Sequence, residues 1–401
     1  MDITIFDGIR TPFGKQGGVL AYTRPDDLLA QCIKYLLDQS PAVKDHIEDV
    51  IIGDTNQAGE DSRNIARNAA LLADLNITTG GMTVNRLCGS GVAAVLDAYR
   101  MASNNEGDFF IAGGVESMSR APLVMAKSES PFSSVPKFED SAIGWRFANK
   151  ALLDKIGNDS LVQTAENIAT DYAISKQAAD QFAYRSQFNY QQALERGFFN
   201  GEILSTQVKT NQRKAPYSVA VQDEHPRLNT QLDKLSALQP LTPGGTVTAG
   251  NASGINDGAA ALLLGDRAKG EALGLKAKAK IIGAAIAGVE PRVMGLGAAP
   301  AAQKALQRAG LSIDDMDVIE LNEAFAAQVL GCLQQLNVAF DDERVNPNGG
   351  AIAIGHPLGA SGARLIITAM RQLEQTGKRY ALVSMCIGIG QGIACVLERC
   401  D

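Results

Sequence analysis

The stretch Glu48-Asp49-Val50-Ile51-Ile52-Gly53 reads as a short buried strand, and Asp315-Met316-Asp317-Val318-Ile319-Glu320 resembles it late in the chain. Each sets acidic residues before a β-branched apolar run, the composition of a strand covered on both faces. A second echo follows the first. Gly89-Ser90-Gly91 opens one helical pattern and Ala360-Ser361-Gly362 opens another. Ile51 and Ile319 lie 268 residues apart, Ser90 and Ser361 lie 271 apart, so both echoes keep nearly one offset. Two copies of one α/β unit is the economical reading.

Further apolar runs extend the pattern on both sides. Phe109-Phe110-Ile111-Ala112, Ala260 to Leu264, Lys280-Ile281-Ile282 and Ala381 to Met385 read as strands. Helical stripes lie between them: Val92, Val95, Leu96 and Tyr99 after Cys88, and Leu365, Ile366, Ala369, Met370 and Leu373 after Ser361. Their alternation predicts an α/β architecture with buried, largely parallel strands. Composition changes from roughly Ser119 to Thr246, a polar stretch holding the only tryptophan, Trp145, and a helix-like run from Thr164 to Phe188. It reads as an insertion between strands of the first copy, placed where a ligand is commonly held. The expected division is 1–270, carrying the inserted lobe at about 119–246, and 271–401.

Bulk properties bound the function. Hydrophobic residues make up 45% and charged residues 20%, the balance of a globular enzyme, and the net charge is −7. No long block of Lys or Arg is present, which argues against nucleic acid as a partner. Met1-Asp2-Ile3-Thr4-Ile5-Phe6 runs straight into an apolar strand, with no basic segment before a long apolar one. No signal peptide and no membrane span are therefore expected, and the cytoplasm is the expected compartment. Six cysteines form no C-x-x-C pair and only three histidines occur, so no metal site is expected.

Three glycine-dense segments carry chemistry. In Asn85-Arg86-Leu87-Cys88-Gly89-Ser90-Gly91, a cysteine just before a helix start meets free backbone N–H groups and the positive end of the helix dipole. Both favour thiolate, so a lowered Cys88 pKa is expected. In Asn346 to Gly359, His356 lies between glycine and proline in a loop, a good position for a base facing a cavity. His46 and His225 sit in charged surroundings and read as surface residues. The third segment, Cys386-Ile387-Gly388-Ile389-Gly390-Gln391-Gly392, ends an apolar strand. Only nine residues follow Gly392, too few for a dinucleotide-binding βαβ unit, which sets a dehydrogenase aside. A reactive or proton-carrying thiol at Cys386 is the better reading.

These segments, with Ile9-Arg10-Thr11-Pro12, Gly113 to Ser119, Gly250 to Gly258, Asn322-Glu323-Ala324-Phe325-Ala326 and Gly355-His356-Pro357, resemble the thiolase family over nearly the whole chain. The resemblance implies a layered α-β-α-β-α core of two similar α/β halves with an inserted lobe. It implies Cys88 as the nucleophile that takes an acyl group, His356 as the base that activates it, and Cys386 as the thiol that moves a proton at the α-carbon. Asn322 would hold a water that, with His356, polarises one thioester oxygen. Backbone N–H groups of Cys88 and Gly388 would form a second oxyanion hole. Coenzyme A is then a substrate, with no tightly bound cofactor, and its expected contacts are Arg227, Ala252, Ser253, Ala324 and Phe325. Homodimers or homotetramers are the family's usual assemblies.

Within the family, Ile143-Gly144-Trp145-Arg146-Phe147, Asn56 to Asp61 and Glu290 to Gly295 look like 3-oxoadipyl-CoA thiolases, which yield succinyl-CoA and acetyl-CoA in aromatic degradation. A dicarboxylic substrate needs a cation for its far carboxylate, and Arg146 is the candidate from the sequence, the alternative being a surface arginine that covers Trp145. A broad-range fatty-acid thiolase, an acetoacetyl-CoA thiolase and, more remotely, a non-catalytic acyl-CoA-binding protein are the alternatives.

Overall fold

The computed structural model describes residues 2–128, 130–132 and 135–401. Met1, and Glu129, Ser133 and Ser134 of the expected lobe, lie outside the described residues. Nine strands carry the fold: β1 (Ile3–Arg10), β2 (Ile47–Gly53), β3 (Met82–Val84), β4 (Phe109–Ser117), β5 (Asn256–Asp266), β6 (Ala279–Gly288), β7 (Val318–Leu321), β8 (Tyr380–Ile387) and β9 (Gln391–Arg399). Seven helices matter here: α1 (Pro25–Gln39), α2 (Ser90–Ser103), α3 (Leu161–Asp171), α4 (Lys176–Glu195), α5 (Ala298–Ala309), α6 (Ala326–Leu336) and α7 (Leu358–Thr376).

The strands follow the order β7-β8-β9-β6-β1-β5-β4-β2-β3. β1 and β6 meet at one residue pair, Ile5 with Ala279, so the path divides there into two sheets. In the first, β2 runs parallel to β4, which is antiparallel to β5, which is antiparallel to β1. In the second, β7 runs parallel to β8, β8 antiparallel to β9, and β9 antiparallel to β6. The two echoes in the sequence are thus one topology used twice. The expectation of largely parallel strands is corrected, because parallel pairing is confined to β2·β3, β2·β4 and β7·β8. Helices cover both faces, so even antiparallel strands carry unbroken apolar runs and lose the alternation that would have revealed their direction.

Packing explains the layers. Val92, Val95 and Leu96 of α2, with Leu365, Ile366, Ala369, Met370 and Leu373 of α7, share one core with Ile51, Phe110 and Leu262 of one sheet and Val383, Met385 and Leu397 of the other. α1 covers the far face of the first sheet through Leu28, Leu29 and Ile33. α5 and α6 cover the far face of the second through Ala302, Ala305, Leu330 and Leu333. The result is α-β-α-β-α, with α2 and α7 as the central layer. Their N-termini meet backbone to backbone: a Cβ on Gly91 would stand 2.6 Å from the Gly359 carbonyl oxygen, and one on Gly362 would stand 2.5 Å from the Val92 nitrogen. Only glycine permits that approach.

The lobe fills the return from β4 to β5. The equivalent return in the second copy, β8 to β9, is the three-residue turn Gly388-Ile389-Gly390. Within the lobe, Ser160 and Ser175 cap α3 and α4 by accepting the N–H of Gln163 and Ala178. Arg10 of β1 anchors the lobe from below. Its buried guanidinium donates to Glu202 at 2.7 Å and to both oxygens of Asp223 at 2.6 and 2.9 Å. The motif Ile9-Arg10-Thr11-Pro12 is in this way a structural clasp.

Candidate active site

Four loops converge where α2 and α7 begin. Cys88 stands two residues before α2, on a turn in which Leu87 adopts φ +47°, a conformation that side chains other than glycine rarely accept. Asn85 holds that turn by accepting the Leu87 N–H at 2.9 Å and donating to the Thr55 carbonyl at 3.1 Å. Asn322 follows β7 directly, its N–H tied to the Ser384 carbonyl at 3.0 Å. Cys386 lies near the end of β8, and Gly388 in the turn beyond it.

Cys88 is half-buried and lines a mostly apolar cavity of about 190 Å³. Gly388, Leu161, Thr164, Trp145, Met294 and Arg292 also line it. Burial pushes the Cys88 thiol up to about 11, against the lowering effect of backbone N–H groups from Gly388 and Cys88 itself. The expectation of a lowered pKa is therefore corrected. The N–H donors at the helix mouth are present, but the cost of charging a sulfur away from water exceeds their help. Cys386 is held far above the ordinary thiol value by burial first, then by the neighbouring thiols of Cys88 and Cys332. Both sulfurs rest as thiols.

His356 is buried rather than open to the cavity, and its pKa falls to about 3, through burial first and the Arg364 guanidinium second. Its Nδ1 lies 2.6 Å from Ser361 Oγ, which donates its own proton to the Pro357 carbonyl at 2.8 Å. The hydroxyl can then only accept, so Nδ1 carries the proton and Nε2 keeps its lone pair. Nε2 lies 3.3 Å from Asn322 Nδ2, and the Asn322 Oδ1 atom is buried without a hydrogen-bond partner. The His356 N–H donates to Asn256 Oδ1 at 2.9 Å, which fixes the loop.

The arrangement offers a protonated nucleophile, a neutral imidazole whose Nε2 lone pair accepts from the Asn322 amide, a second protonated thiol, and peptide N–H groups at the sulfur. These are the parts of acyl transfer through a thioester.

Four of the five expected coenzyme A residues also come together. Ala252 pairs with Phe325 across an antiparallel bridge, and the Ser253 N–H donates to the Ala324 carbonyl at 3.0 Å. Arg227 is exposed on the lobe, its N–H donated to Gln187 Oε1 at 2.9 Å. Two expectations fail. Arg146 does not line the cavity; its Nη2 reaches the Thr55 carbonyl at 3.5 Å instead. His225 is half-buried beside Gly254 and its pKa is lowered, by burial first, whereas His46 is exposed as expected. Ser361 and Asn256 were not singled out as site residues. The five-residue spacing from His356 to Ser361 was the available signal for the first, and the motif Gly250 to Gly258, which holds Asn256, was the signal for the second. Among the described residues no group of three or more His, Cys, Asp or Glu side chains is placed to hold a metal ion.

The family description "Thiolase, N-terminal domain" matches residues 3–268, and "Thiolase, C-terminal domain" matches residues 275–399. The chain belongs to the thiolase family. Among thiolases it is 53% identical over 397 residues to the beta-ketoadipyl-CoA thiolase of Acinetobacter baylyi, covering 98% of each chain. It is 52% identical over 397 residues to the 3-oxoadipyl-CoA/3-oxo-5,6-dehydrosuberyl-CoA thiolase of Escherichia coli, again covering 98% of each. The solved human mitochondrial 3-ketoacyl-CoA thiolase superimposes with a TM-score of 0.90 at 35% identity, covering 100% of this chain and 99% of that one. A thiolase is an acyltransferase, so the reading as a non-catalytic acyl-CoA-binding protein is set aside.

Proposed function

We propose that this thiolase cleaves 3-oxoadipyl-CoA with coenzyme A to give succinyl-CoA and acetyl-CoA. Cys88 sulfur attacks the C3 ketone carbon as His356 Nε2 takes the thiol proton. The C2–C3 bond then breaks, leaving a succinyl thioester on Cys88, while Cys386 gives its proton to the departing acetyl-CoA carbanion. Coenzyme A thiol next gives its proton to the Cys386 thiolate and attacks the thioester, and Cys88 leaves with the proton that His356 held. Peptide N–H groups of Cys88 and Gly388 face the oxyanion formed at the sulfur-bound carbon. Asn322, with its unpartnered Oδ1, would hold a water against the other thioester oxygen. Donors of this kind are worth about 3 kcal/mol each.

The observation that carries the reading is the cavity that ends on Cys88 and Gly388, and similarity to enzymes named for this substrate supports it. A far carboxylate needs a cation, and Arg292 is the arginine among the residues lining the cavity, its guanidinium paired with Asp171 at 2.7 Å. Coenzyme A would lie over Ala252, Ser253, Ala324 and Phe325, with Arg227 near its phosphates. A division of the chain at 270/271 is supported by the two family matches and the repeated strand order. A homodimer or homotetramer is supported by the exposed apolar Leu123, Met125 and Phe138; among the described residues no helix is long and apolar enough to cross a membrane.

Intact-protein mass spectrometry after brief mixing with 3-oxoadipyl-CoA tests the chemistry. A succinyl adduct mapped to Cys88, and discharged by coenzyme A, is expected. No adduct, or one on another residue, would overturn it.

A further inference from the structure

Glu116, on β4, is 1% exposed and lies beneath the active site rather than in its cavity. One of its oxygens, Oε2, accepts two backbone N–H groups: Thr55 at 3.1 Å and Gly359 at 3.0 Å. Those donors belong to different loops. Thr55 is the residue whose carbonyl receives Asn85, and Asn85 in turn holds the Leu87 N–H next to Cys88. Gly359 comes three residues after His356, at the start of α7. Among the described residues no cation is a hydrogen-bond or ion-pair partner of Glu116, and the charged neighbours acting on it include Asp61 and Asp54. A buried carboxylate in such company is costly to keep, and a neutral apolar residue would pack there at less expense.

We propose that Glu116 is a positioning residue that fixes the distance between Cys88 and His356 by bridging the two loops that carry them. This rests on the roles given above to Cys88 and His356. The bridge joins the two repeats: Thr55 and Glu116 come from the first, Gly359 from the second. It sits under the glycine contacts at which α2 and α7 touch, so a shift of either loop strains both N–H bonds to one oxygen. Burial raises the Glu116 pKa to about 7, so near neutrality the oxygen's role as a double acceptor matters more than a full charge. A displacement of about 1 Å between reacting groups commonly costs about 100-fold in rate.

The test is a double-mutant cycle read by iodoacetamide alkylation of Cys88, which needs the base but no coenzyme A. Glu116→Leu should slow alkylation about 30-fold or more at pH 7.5 in the otherwise unaltered enzyme, and less than about 3-fold in a His356→Ala background. Glu116→Gln, whose amide oxygen can accept both N–H groups, should recover the rate to within about 5-fold of the unaltered enzyme. KM for coenzyme A should stay unchanged throughout while kcat falls. Equal slowing in both backgrounds, or no recovery with glutamine, would overturn the proposal. Should the leucine variant not fold, Glu116→Ser, which withdraws the acceptor, enters the same cycle. Failure of the assigned roles themselves reads differently: His356→Ala alone would leave alkylation unchanged.

Discussion

Ser361 Oγ stands 2.6 Å from His356 Nδ1 while giving its own proton to the Pro357 carbonyl. The hydroxyl therefore dictates which imidazole nitrogen bears hydrogen, and so which one can act as base. Replacing Ser361 with alanine frees the ring to take the other tautomer. The expected result is a kcat lower by about 10- to 100-fold with little change in KM for coenzyme A, measured by steady-state thiolysis. A loss confined to KM would contradict the assignment.

Cys88 and His356 both rest uncharged, the thiol at about 11 and the imidazole at about 3. The rate of Cys88 alkylation by iodoacetamide in the free enzyme should then rise from pH 7 to pH 9, as thiolate formed at higher pH adds to the reaction that His356 assists as base. A plateau reached near pH 6 would reveal a preformed thiolate–imidazolium pair instead.

Burying a neutral histidine makes the fold acid-sensitive. His356 titrates at about 3 in the folded chain against an ordinary 6.5, so the unfolded chain takes up its proton first. The contribution is complete above about pH 6.5 and is lost as the pH falls toward 3. Between pH 7.5 and pH 5 that amounts to about 2 kcal/mol. Urea unfolding of the unaltered chain and of His356→Asn should show the gap between them narrowing, or reversing, by about this amount at pH 5. Parallel pH dependences would mean that the imidazole titrates alike in the folded and the unfolded chain.

Arg292 and Arg146 separate by substrate. Arg292→Ala should reduce kcat/KM on 3-oxoadipyl-CoA by about 30-fold, the worth of one charge-assisted contact, and leave acetoacetyl-CoA within about 3-fold. Arg146→Ala should affect both substrates alike, because its guanidinium meets the Thr55 carbonyl. Equal losses on both substrates with Arg292→Ala would remove it as the carboxylate's partner.

Much of this molecule could be read before it was folded. Val50-Ile51-Ile52, Val318 to Leu321 and the other apolar runs became strands, and the stripes after Cys88 and Ser361 became the two central helices. Strand direction was hidden because both faces are covered. The nucleophile, the base and the second thiol were legible as types in glycine-rich turns. Their protonation states were not, since desolvation depends on the packing of both repeats around them. Arg146 illustrates a further limit: Trp145 beside it does line the cavity, yet the neighbouring side chain leaves it, and a rotation within one loop is not encoded in periodicity. Glu116 was visible only as a letter in Gly113 to Ser119, because its partners come from residues 61 and 243 positions away.

The two returns between neighbouring strands, three residues long in one repeat and a whole lobe in the other, separate what can drift from what cannot. The reacting groups are pinned by glycine contacts that tolerate no added carbon, whereas much of the wall around the acyl chain, including Trp145 and Leu161, belongs to the elaborated return. Descendants of such a scaffold can acquire new substrates by rewriting one inserted segment while the bond-breaking apparatus stays as inherited.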